Sequence, residues 1–184
     1  VAIDYVVGTS SDNATLKLEI LDVGGSVIRT FTADTTENVD GIEYSRAPAE
    51  QGHNRFFWDL RIENATAITE SFSFFGQAQG YRVMPGSYSV RFTLGDEAPL
   101  TASFEVRGDP RISSNQTDFS ANERFLKTVF QALAALHGGV NDIRAVRSQV
   151  TEVVEQAQAV GLIGADTLQK VGAVLADSIT ALED

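Results

Sequence analysis

The sequence predicts an all-β, immunoglobulin-like antiparallel sandwich over residues 1–110, followed by an all-α helical hairpin over residues 111–184. Three observations carry this. All four prolines, all four tyrosines and Trp58 precede residue 111, whereas the remainder has no Pro and is rich in Ala, Val, Leu and Gln. Before that step the apolar residues recur with a period of two, and after it they recur at spacings of three and four. Two of the connections between the alternating runs, Gly24-Gly25 and Gly95–Pro99, have turn composition and are too short to hold crossover helices.

Residues Val1 to Val7 read as the first strand. Leu16, Leu18 and Ile20 then alternate with Thr15, Lys17 and Glu19, and the period recurs at Phe56, Trp58, Leu60, at Tyr88, Val90, Phe92, Leu94, and at Leu100, Ala102, Phe104, Val106. Each run is expected to bury one face. Gly24-Gly25 joins the Leu16 run to Val27–Phe31, and Gly95–Pro99 joins the last two runs. About six or seven strands result, with Trp58 in the core between them.

The second half reads as a long helix at about 118–160 and a shorter one at about 165–183. The expected seam of the first is Leu126, Val129, Leu133, Leu136, Val140, Ile143, Val150 and Ala157, slipping where Arg147 sits beside Val146. The second carries Leu168, Val171, Leu175 and Leu182. Gly161–Gly164 breaks the two apart, and Asp166 favours the second start. Gly138-Gly139 costs roughly 1 kcal/mol per glycine in a helix interior. The seam runs through the pair, and one long helix is expected. The second helix is too short to cover the first, which leaves the stripe around Leu126, Val129 and Leu133 as a candidate docking seam.

Of 184 residues, 14 are basic and 25 acidic, a net charge of −11. Residues 1–118 hold 9 basic and 17 acidic side chains, net −8, and residues 119–184 hold 5 and 8, net −3. Such a balance lacks the basic footprint of a nucleic-acid binder. With 43% hydrophobic residues the chain can bury a core, and no apolar run approaches the ~20 residues of a membrane helix. No nucleic acid and no membrane insertion are expected. The absence of Cys excludes disulfides and thiolate chemistry. A chain that starts at Val1 and holds Met84 as its one Met is expected to be a processed or excised piece of something longer.

Motifs for chemistry are sparse. His53 and His137 are the two histidines, far apart in sequence, and the carboxylates lack the spacing of a calcium loop. No catalytic constellation, metal set or cofactor is read from these residues. Phe72, Phe74, Phe75 and Tyr81 form an aromatic segment between small polar residues. Such rings stack on sugars or dock a partner, though self-packing at the end of the sandwich is the commoner use.

The order of features from Leu18 to Arg107, with Gly52–Arg61 (GHNRFFWDLR) and Pro85–Arg91 (PGSYSVR) as its marks, resembles a recurrent bacterial sandwich module. It looks like the C-terminal module of secreted proteins whose upstream part is an Asp-box, sortilin-like β-propeller labelled as glycosyl hydrolase. Val106–Arg111 and the Val140–Arg147 stretch extend that likeness into the helices. A looser likeness exists to the immunoglobulin-like domain of flagellar hook-capping proteins. The resemblance implies a non-enzymatic accessory module of an exported protein, extracellular or periplasmic, which docks onto its upstream domain or a partner, or self-associates through its helices. Two alternatives stand beside it: a carbohydrate-binding module using the aromatic segment 72–81, and a fragment of a glycoside hydrolase whose catalytic domain lies upstream.

Overall fold

Eight strands precede two helices in chain order: β1 (Ala2–Val7), β2 (Leu16–Leu21), β3 (Val27–Thr32), β4 (Glu37–Val39), β5 (Ile42–Tyr44), β6 (Gly52–Phe57), β7 (Gly86–Leu94), β8 (Leu100–Val106), α1 (Gln116–Ala159) and α2 (Ala165–Glu183). This computed structural model describes residues 1–8, 15–33, 37–39, 42–44, 46–68 and 79–183. Its chain divides into two compact units, Val1–Ala65 with Ser73–Gln131, and Thr66–Phe72 with Ala132–Asp184. The division falls inside α1 rather than at the compositional step near Pro110.

The first unit is an antiparallel β-sandwich. One sheet has the order β3-β2-β7-β8, the other pairs β1 with β6, and β4-β5 is a short separate ladder. Alternation turns into burial where a strand is covered: Leu16, Leu18 and Ile20 of β2 lose all contact with water, and Phe56 and Trp58 face them at 2% exposure. Trp58 keeps its indole N–H satisfied by donating to the Arg61 carbonyl at 2.9 Å, which makes so large a ring tolerable in the core. Asn54, also buried, donates to the Glu50 and Gly52 carbonyls and so fixes the entry to β6. The β2–β3 turn is held by the Asp22 carboxylate, which accepts from the Gly24 and Ser26 N–H groups, with Gly25 at φ 80°.

Two expected faces differ. Leu60 leaves the alternating run at φ 68°, and β6 ends at Phe57. On β8 only Val106 is buried and Phe104 half-buried, while Leu100 is 70% exposed and Ala102 is exposed. Among the described residues a four-stranded sheet faces two strands, and none of the described strands covers the start of β8.

The first turns of α1 belong to the same unit. Asn115 Oδ1 accepts from the N–H groups of Thr117 and Asp118 while Asp118 Oδ2 accepts from the Asn115 N–H, a reciprocal cap at the helix start. Gln116 then donates to the Pro85 carbonyl.

Candidate interaction surface

The second unit is the helical hairpin. Helix α1 ends in a Schellman motif: Gly161 sits at φ 62°, its N–H donates to the Gln158 carbonyl, and the Leu162 N–H reaches back to Ala157. After Gly164, at φ 92°, α2 begins with Asp166 in its first turn, where the helix dipole favours a carboxylate.

Small residues set the approach of the two helices. A Cβ at Gly172 would stand 2.8 Å from Val154 Cγ2 and 3.4 Å from Val150 Cγ1. Arg147 Nη1 donates to Thr180 Oγ1 at 3.4 Å, so α2 advances as α1 recedes and the pair is antiparallel. The buried inner face is Ala157 on α1 with Gly172 and Ile179 on α2.

That inner face is not the one the spacing predicted for α2. Val171 and Leu175, expected in the seam, are exposed, Val171 at 61%. On α1, Val146, Val153 and Val160 are exposed too, Val153 at 54%. Positions 146 and 153 each precede an inward residue, Arg147 and Val154, as Val171 precedes Gly172 and Leu175 precedes Ala176. Two right-handed helices running in opposite directions carry these preceding flanks on the same side of the pair. One side of the hairpin therefore presents an apolar strip of Val146, Val153, Val171 and Leu175, with Val160, Leu162 and Ile163 exposed at its closed end. The opposite flank is polar. There Asn141, Arg144, Arg147, Ser148 and Thr151 line a shallow depression of about 870 Å³. On this helix His137 Nδ1 meets the Thr66 carbonyl at 2.7 Å and Asn141 donates to that of Ala67.

Of the residues singled out from sequence, Phe72, Phe74 and Phe75 lie outside the described residues. Tyr81 is half-buried, its ring set edge-on to Phe130 at 5.8 Å, and desolvation raises its phenol pKa with help from the Glu123 charge. That contact lies within the first unit. Leu126 and Leu133 are half-buried, and Val129 is 49% exposed. Sequence reasoning missed Val146, Val153 and Val160 as surface residues. The signal was the seam slip at Arg147: a second 3-4 register, Val146, Val150, Val153, Ala157 and Val160, overlaps the first, so α1 is apolar over a wider arc than one partner helix covers.

His53 Nε2 lies 3.1 Å from Asp4 Oδ1 on the exposed face of the β1–β6 pair, with the Arg55 guanidinium at 2.8 Å, and that guanidinium lowers the Asp4 carboxyl pKa. Among the described residues no group of three or more His, Asp or Glu is placed to hold a metal ion, and no helix is long and apolar enough to cross a membrane. No protein-family model, curated protein or solved structure matches the chain.

Proposed function

We propose that this chain is a non-enzymatic interaction module of an exported bacterial multidomain protein, docking through the apolar side of its helical hairpin onto an upstream propeller or another partner. The observation that supports this reading is the exposure of Val146, Val153, Val171 and Leu175 along one side of an antiparallel pair whose inner face closes tightly at Gly172. A strip of large apolar side chains costs solvation free energy until something covers it, about 25 cal/mol per Å² of apolar surface. The sequence likeness to accessory modules of secreted Asp-box propeller proteins supplies the exported context. A helical half carrying net −3 opposes self-contact less than the strand half at −8, so the isolated chain pairs with itself through this side.

Thermal unfolding tests this. Association of the native state adds stability by mass action, so the melting temperature of the helical unit should rise with protein concentration and lose that dependence in Val153→Glu/Val171→Glu. A melting temperature independent of concentration in the wild type would count against the surface.

A further inference from the structure

The sandwich has an open side that the helical surface does not explain. Constant-type immunoglobulin sandwiches set four strands against three. Here, among the described residues, four strands face two. A cleft of about 350 Å³ results, floored by the inward side chains Leu18, Val90 and Phe92. Its two walls are runs of consecutive residues, Ile3 to Val6 on β1 and Leu100 to Ala102 on β8, as expected where backbone edges rather than sheet faces line a groove. Val6 is 69% exposed. Tyr5 rests on Phe92 at 5.1 Å between centroids.

The hydrogen-bond phase of β1 is set by its first residue. Val1 and Trp58 exchange both backbone bonds, so in an antiparallel ladder the odd residues Ile3, Tyr5 and Val7 bond to β6. The N–H and C=O groups of Ala2, Asp4 and Val6 therefore point to the other edge, where no described strand pairs with them. Exposed edges are usually guarded by Lys, Pro or a bulge. Neither β1 (AIDYVV) nor β8 (LTASFEV) contains Lys or Pro, and neither pairing is shifted by a bulge.

We propose that this groove is a β-augmentation site: an extended peptide segment with alternating apolar residues and neutral or basic residues between them pairs with the free edge of β1 and lays its apolar side chains over Leu18, Val90 and Phe92. Main-chain bonds to Ala2, Asp4 and Val6 supply register, and the apolar floor selects every second side chain. Charge chooses the occupant. The strand half carries net −8, which opposes the β1 edge of a second, equally acidic copy and favours a neutral or basic strand.

The test titrates a blocked peptide alternating Val with Thr and Lys, of about nine residues to match a strand, into the isotope-labelled full chain. Saturable shifts at the Ala2, Asp4 and Val6 amides, and their protection from hydrogen exchange on binding, are expected. Val6→Pro removes one edge donor without touching the ladder to β6, and it should weaken binding at least about tenfold. Leu100→Lys, which charges the opposite wall, should weaken it as well, and it decides the matter if Val6→Pro does not fold. Four results would overturn the proposal: no saturable binding up to ~1 mM, undiminished binding by both folded variants, equal binding of the same peptide with Glu for Lys, or edge amides already protected in the free monomer. Dimerisation that Val6→Pro abolishes would replace the peptide by a second copy and overturn it too.

Discussion

Trp58 ties the sandwich together at the residue scale. It closes the β1–β6 end through Val1, donates to Arg61, and packs edge-on against Tyr88 and Phe104 of the facing sheet at 6.0 Å each. Trp58→Ala should cost about 3–5 kcal/mol in chemical denaturation, since a large buried ring leaves a cavity and its neighbours relax only in part. Glu19 is a buried carboxylate. It stands across from Arg91 on β7, bonded at 2.7 Å, with Lys17 at 3.2 Å, and these cations hold its carboxyl below the usual glutamate range. The sign follows: the folded state binds the proton more weakly than the unfolded state, so this stabilisation is complete above the ordinary glutamate value and lost as pH falls through the folded one. Glu19→Gln should flatten the acid limb of stability against pH, and an unchanged acid limb would remove the ion pair from the account of acid unfolding.

Among the elements, α1 raises the question of why two adjacent glycines leave it intact. Neither Gly138 nor Gly139 has a positive φ, and a Cβ at either would meet nothing within 4 Å. Both are ordinary helical residues whose backbone entropy is a cost without compensation. Gly139→Ala should therefore stabilise the chain by about 1 kcal/mol in denaturant melts, and a loss would mean that α1 needs a bend there. Gly172 is the contrary case, with Val154 Cγ2 only 2.8 Å from the added carbon. Gly172→Leu should force the hairpin apart and cost about 1–3 kcal/mol by overpacking. These positions also show how far the sequence could be read. Strand alternation fixed Leu16, Leu18, Ile20, Phe56 and Trp58 as core because a period of two has one buried phase. Helical spacing placed α1 and α2 within two residues of their ends. It did not choose between two overlapping registers: Val171 and Gly172 are neighbours, and a hydrophobicity pattern favours the valine where close approach of two backbones needs the glycine. Leu100 failed for a different reason, since alternation says which face is apolar but not how wide the opposing sheet is.

For the whole molecule, each unit carries an exposed apolar surface among the described residues: the strip from Val146 to Leu175 on the hairpin, and the groove between β1 and β8 on the sandwich. The proposed docking role would account for such surfaces, since a partner that covers them adds to the stability of the folded state. The Phe72, Phe74 and Phe75 rings lie outside the described residues, so the aromatic segment neither adds to this reading nor competes with it. The measurement that bears most directly on docking through the hairpin is sedimentation velocity of the full chain from micromolar to near-millimolar concentration at moderate salt, with Val153→Glu/Val171→Glu alongside. Docking predicts a wild type that shifts to dimer as concentration rises, more so as salt screens the net −11 charge, and a double variant that stays monomeric with an unchanged circular dichroism spectrum. A wild type that remains monomeric throughout, or a double variant that dimerises as the wild type does, would contradict it.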